Sequence, residues 1–238
     1  MRIWLCLPLL LFACASTESA AEPVLQGRVS LAGTLPPAQS WDLDEAMTVV
    51  SGETEYLDET WLVQDGGVAN CVVTLEPIGR EVAPAPPVEA LYEKVGPRFE
   101  PRVLVVPIGS TVTLKNRNSP CIGFSSRTTR TSFNTMLTVG KTRAVEYPRV
   151  VYAPVVCDVR PYMKGAIIAV DTPYYAMTDL TGAFDIGPVP AGVYRLRVWH
   201  EGMTRQKAQK RNLVITAGET LAPLDIQLRG PRPKLNED

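Results

Sequence analysis

Pro101-Arg102-Val103-Leu104-Val105-Val106-Pro107-Ile108-Gly109-Ser110-Thr111-Val112-Thr113-Leu114-Lys115-Asn116 is the stretch that decides the fold class. Residues 103–106 and 111–114 are short β-branched runs, and Ile108-Gly109-Ser110 between them supplies a turn, so the segment is predicted to form a hairpin. The same grammar extends in both directions. Residues 24–31 alternate in the manner of a strand, and 71–75 form an apolar run after Gly66-Gly67. Pro84, Pro86 and Pro87 mark a loop or linker, and 150–156 and 165–170 give two further strands. Downstream, Asp179-Leu180-Thr181-Gly182 is a turn before a strand at 183–186. Pro190-Ala191-Gly192 then leads into 194–199, where Tyr194, Leu196 and Val198 alternate with Arg195 and Arg197. Residues 213–215 and 224–228 complete the series, and no helical period is visible beyond the leader. An all-β chain is predicted.

Composition narrows the function. Of 238 residues, 45% are hydrophobic and 21% charged, as in an ordinary folded protein, but there is one His. That excludes any site built from several imidazoles, whether zinc, copper or a catalytic relay. No nucleophile with a base, phosphate loop or zinc spacing is present, so no enzyme is expected. His200 beside Glu201 lacks a matched partner and reads as a structural hydrogen bond. Glu53, Glu55, Asp58 and Glu59 read as a solvated face.

Residues 1–21 read as an export signal: Arg2, then an apolar run over 3–12 too short to span a bilayer. Two processing routes stand open. Leu11-Phe12-Ala13-Cys14 resembles a lipobox, with Cys14 lipidated; Ser19-Ala20-Ala21 instead suits cleavage before Glu22. Either way the expected location is the periplasm or an outer-membrane lipid anchor. Cys71, Cys121 and Cys157 then remain in a disulfide-permissive compartment, where one bridge and one buried thiol are expected, Cys71 lying among Val72, Val73 and Leu75. Residues 22–89 carry 2 basic and 12 acidic side chains, and 90–170 carry 12 basic and 4 acidic. The expectation is that the acidic part lies on the basic part; export and few aromatics argue against nucleic acid.

Two stretches resemble known families. Residues 101–116 are similar to the strand pair before the metal loop of exported cupredoxin-like proteins of the plastocyanin and methylamine-utilisation type. Cys157-Asp158-Val159-Arg160-Pro161-Tyr162-Met163 resembles their second metal loop, Cys-x-x-His-Pro-x-Met. From about 171 to 228 the chain is similar to the carboxypeptidase regulatory-like module, allied to transthyretin-like and starch-binding-like sandwiches. Its anchors are Thr178-Asp179, Gly182, Phe184, residues 189–194 and Val198-Trp199-His200-Glu201. The resemblance implies a cupredoxin-like Greek-key β-sandwich over 22–170, a small prealbumin-like sandwich over 171–229 and a disordered tail over 230–238.

It also implies what has been lost. Cys157 and Met163 fall on the thiolate and axial positions of a copper site, but Arg160 stands at the loop His and Cys121, after a one-residue gap, at the upstream His. Arg102 holds the place of a further His in some relatives. An Arg neither deprotonates nor welcomes a cation, so no cofactor is expected, with Cu(I) on Cys121, Cys157 and Met163 as the alternative. Ligands of one metal lie close, so the resemblance implies a Cys121–Cys157 disulfide. It also implies an anion or acidic-partner pocket around Arg102 and Arg160, with Arg127 and Arg130 nearby. Expected partners are an envelope protein or an anionic or carbohydrate ligand, Trp199 being a sugar-stacking candidate.

Overall fold

A computed structural model describes residues 22–35, 37–203, 209–218 and 221–230. The leader, Cys14 and the tail from 231 on lie outside the described residues. In chain order the elements are β1 (Val24–Ala32), β2 (Ser40–Asp42), α1 (Glu45–Ser51), β3 (Glu55–Leu57), β4 (Val63–Gln64), β5 (Gly67–Val68) and β6 (Val72–Pro77). Next come β7 (Glu89–Val95), β8 (Arg98–Glu100), β9 (Val103–Pro107), β10 (Ser110–Asn116), β11 (Gly123–Arg127), β12 (Ser132–Met136), β13 (Thr142–Tyr147), β14 (Val151–Val156) and β15 (Lys164–Val170). Last are β16 (Tyr175–Met177), β17 (Ala183–Pro188), β18 (Gly192–Trp199), β19 (Gln209–Ile215) and β20 (Leu224–Arg229). The all-β reading holds. The one helix among the described residues, α1, is too short to leave a sequence period; it is set by the Asp44 side chain, which accepts from Met47 N at 2.9 Å, and by Gly52 at φ 74°.

Two β-sandwiches result. In the first, sheet β13-β10-β7-β8 faces sheet β12-β11-β14-β15-β9 across one core that includes Tyr92, Leu114, Phe124, Val155 and Ile167. The predicted hairpin at 103–114 is not one. β9 pairs with β15 and β10 with β13 and β7, so Ile108-Gly109-Ser110 carries the chain from one sheet to the other. Gly109, at φ 84°, makes that turn, its N–H donating to Tyr147 O. Two apolar runs around a glycine turn look alike whether the strands pair or pack face to face.

The second sandwich is not confined to 171–229. β1 lies between β17, antiparallel, and β20, parallel; β6 lies between β16 and β18. The first sandwich, β7 to β15, is therefore inserted into the second between β6 and β16, and the boundary drawn at residue 170 holds on one side only. Strand pairing across more than 100 residues is invisible to local pattern, which is why residues 22–35 and 67–77 read as part of the first unit. Gly67 shows how tightly the pieces interlock: a Cβ there would sit 1.7 Å from Thr181 O.

The sandwiches meet sheet to sheet. β6 and β15 are buried almost throughout, and Val72, Val103, Ala166, Ile168 and Val170 form a separate cluster with Tyr152, Tyr175 and Trp199 between the two cores. A strand covered on both faces needs an unbroken apolar run rather than an alternating one, and Gly165-Ala166-Ile167-Ile168-Ala169-Val170 is such a run.

This topology predicts that a fragment of residues 171–230 does not fold alone. Without β1 and β6 its remaining strands lose the central members of both sheets. Circular dichroism should show no cooperative thermal transition for the fragment, whereas a chain of residues 22–238 should show one; a cooperative fragment would contradict the interleaved assignment.

Candidate functional site

The ends of β7 and β10 and the loops before β11 and after β14 converge at one end of the first sandwich. Asn116, at the end of β10, is fully buried and shapes the first loop: its Nδ2 donates to Ser119 O at 3.0 Å and Leu137 O at 2.7 Å, and its Oδ1 accepts from Ser119 N at 2.8 Å. In the second loop Cys157 N donates to Met163 O and Met163 N to Arg160 O, closing a compact turn. Cys121 and Cys157 are joined by a disulfide that ties the two loops, and Met163 is fully buried beside it in the same core. Among the described residues Cys71 is the free, buried thiol; burial pushes its pKa up to about 12, which leaves it inert.

Lys94 is the residue that sequence reasoning missed. Its position on β7 pairs in register with Asn116, and its ammonium is directed inward. Nζ lies 3.7 Å from Cys121 Sγ, donates to Gly123 O, and sits 4.2 Å from the Phe124 ring centroid and 5.2 Å from that of Phe99. The carbonyl and the two ring faces compensate part of the charge; no carboxylate bonds it. Burial, reinforced by the nearby Arg160 charge, lowers its pKa to about 7. The only sequence signal was a lysine at a core-facing register of β7.

The arginines do not assemble a pocket. Arg160 bonds Asp44, the N-cap of α1, which lays the acidic segment over the loop. Arg102 is buried at the junction of the sandwiches: it pairs with Glu201 and donates to Tyr56 Oη at 3.0 Å and Thr60 Oγ1 at 3.1 Å, with Asp58 at 3.7 Å. Burial raises the Glu201 pKa, opposed by the Arg102 bond. Arg127 pairs with Asp158, and Arg130 donates to Val150 O. The acidic residues read as a solvated face are in fact partners: Glu53 and Glu59 bind Arg98, and Asp58 binds Lys164, while Glu55 is exposed and accepts from Ser40. The acidic segment thus lies on the basic part, as the charge distribution led us to expect.

Two further candidates are packed. Trp199 stacks against Tyr152 at 5.6 Å in the junction and is not free for a sugar. His200 is buried, accepts from Gly202 N at 3.1 Å and lies 4.2 Å from the Trp61 ring; burial lowers its pKa to about 4, so it stays neutral.

The donor set does not fit copper: Cys121 and Cys157 are consumed in a sulfur–sulfur bond, no imidazole among the described residues faces them, and a lysine amine lies 3.7 Å from Cys121 Sγ. Among the described residues no three His, Cys, Asp or Glu side chains are grouped to hold a metal, and no helix is long and apolar enough to cross a membrane.

Residues 165–222 match the family described as polysaccharide lyase family 4, domain II. No curated protein matches. Among solved structures, the copper-containing nitrite reductase of Thermus scotoductus SA-01 is 22% identical over 40% of this chain, which spans 25% of the enzyme, at a TM-score of 0.33. A purple cupredoxin from Nitrosopumilus maritimus is 18% identical over 34% of this chain and 99% of its own, at 0.29. The P52G mutant of amicyanin is 18% identical over 41% and 98%, at 0.32.

Lys94 generates a pH prediction. Its folded pKa lies below the unfolded value of 10.5, so between about pH 7 and 10.5 the unfolded chain binds more protons, and stability rises with pH across that window. Below pH 7 the buried charge destabilises by a few kcal/mol, following from ~1.4 kcal/mol per pKa unit. Chemical denaturation from pH 6 to 10 should show this rise in the wild type and its loss in Lys94→Met; parallel pH profiles would contradict the assignment.

Proposed function

We propose that this protein is a non-enzymatic binding or structural component of the bacterial cell envelope, in which a cupredoxin-like copper site has been replaced by a disulfide. The N-terminal leader would export it, either free into the periplasm or held through Cys14 as a lipoprotein. One observation carries the reading: Cys121 and Cys157, which the resemblance sets at ligand positions, are bonded to each other, with the Lys94 amine 3.7 Å from one sulfur. Disulfide sulfur is a far weaker donor than thiolate, and the Lys94 amine adds a positive charge beside it below about pH 7.

A second reading has its own observation. A groove of about 890 Å³ runs over the outer face of β17, β1 and β20, lined by Gln26, Arg28, Asp179, Asp185 and Asp225 with Met177 and Leu224. Amide, guanidinium and carboxylate groups beside apolar side chains suit a carbohydrate ligand. The groove on that sheet, and not Trp199, supports the carbohydrate reading.

One titration series tests both. Mature protein, oxidised and then reduced, is titrated with Cu(I) under chelator competition and, separately, with neutral and acidic polysaccharides. The expected result is no stoichiometric copper in either state. Stoichiometric Cu(I) in the reduced protein would restore metal handling through Cys121, Cys157 and Met163. Polysaccharide binding abolished by Asp185→Ala with Asp225→Ala would support the groove, and binding unaffected by them, or absent, would remove it.

A further inference from the structure

Lys94 and the disulfide form a chemical unit that a purely structural staple does not need. A staple between two loops works equally well in an apolar setting, yet here a lysine amine lies 3.7 Å from Cys121 Sγ, where it is able to stabilise a thiolate. Nζ already donates toward Cys121 Sγ at 3.7 Å and is held in place by Gly123 O and the faces of Phe124 and Phe99. Cys157 has no such partner. Both sulfurs are buried, Cys121 at 2% and Cys157 at 1% exposure, and the residue over Cys157 is Gly123, which carries no side chain, so a reductant reaches Cys157 when that backbone segment opens.

We propose that the Cys121–Cys157 bridge is a reducible site whose reduced form is a Cys121 thiolate paired with the ammonium of Lys94, with Cys157 as the neutral thiol. The inference builds on the bridged-loop reading above and adds a redox chemistry to it.

The reaction balances with a dithiol as reductant. A reductant thiolate attacks Cys157 Sγ and the sulfur–sulfur bond breaks toward Cys121, because the sulfur next to Lys94 is the better leaving group. The second reductant thiol then displaces Cys157 and leaves as the cyclic disulfide. Two electrons pass to the protein. Of the two dithiol protons, one ends on Cys157 and the other on Lys94, whose amine is substantially neutral above about pH 7 while the bridge is intact.

The charges around the pair are few. On β7 the neighbouring Glu93 is turned to Lys115, away from the bridge. From the 157–163 loop Arg160 acts on Lys94 but is itself bound by Asp44 of the acidic segment. The Tyr92 and Tyr147 phenols of the same core are held neutral by burial. Reduction therefore replaces a neutral bridge by an anion facing a lone amine, and the amine should take up a proton.

The test follows the lysine directly. Mature protein carrying [13C]lysine is titrated by NMR with its bridge intact and again with excess dithiothreitol, in metal-free buffer with EDTA. In the bridged form the Lys94 amine should titrate near 7, and on reduction it should move up by about two pH units. An amine that titrates at the same pH in both forms, or lower after reduction, would overturn the proposal. In a second measurement, Lys94→Met should raise the dithiothreitol concentration that half-reduces the bridge at pH 7.5 by about tenfold. An unchanged midpoint in a folded variant would likewise overturn it. If the variant does not fold, the wild-type titration decides alone. Copper binding by the reduced protein would overturn the module reading of the preceding section while leaving the Lys94 response intact, so the two ideas fail separately.

Discussion

A cation taken out of water must be met by an opposite charge or give up its proton. The first sandwich carries a dense set of cations, and their neutralisation organises the molecule. Asp44, Glu53, Asp58 and Glu59 all come from the stretch around α1 and β3. They reach Arg160, Arg98, Lys164 and Arg102, drawing that stretch across the sandwich and burying Met47 and Tyr56 in its core. Glu201 answers Arg102 from the other sandwich, so the pair also pins the junction. Breaking a buried pair of this kind costs about 3–5 kcal/mol because the surviving charge has no alternative partner. Lys94 alone among these cations takes the other route: with ring faces and a carbonyl but no carboxylate, it is pushed toward the neutral amine.

That exception marks the candidate site. The two loops are joined by two sulfurs, with the Lys94 amine 3.7 Å from one of them and Arg160 on the second loop. The disulfide is one part of a local network in which Asn116 holds the first loop and the Cys157–Met163 hydrogen bond holds the second.

The residues disclosed these features unevenly. Strand content was legible because Val, Ile and Tyr runs alternate with Gly and Pro turns, and the outward Arg195 and Arg197 of β18 lie as the period requires. The Cys121–Cys157 bridge was legible only through the resemblance of the two loops. Three things were not: that β9 and β10 lie in different sheets, that β1 and β6 complete the second sandwich, and that Lys94 points inward. The first two are pairings between distant segments, which local periodicity does not encode. The third depends on β7 presenting an inward position opposite Asn116, and a single lysine in a short strand ordinarily reads as surface. The unbroken run at 165–170 did contain the clue to a strand covered on both sides, but not the identity of what covers it.

The account rests on the sulfurs being bonded to each other, and peptide mapping tests this most directly. Protein isolated without reductant is alkylated, digested under non-reducing conditions and analysed by mass spectrometry. The account predicts one linked peptide pair containing Cys121 and Cys157, and an alkylated Cys71 peptide once the chain is unfolded. Alkylated Cys121 and Cys157 in unlinked peptides, or a bridge to Cys71 instead, would contradict it.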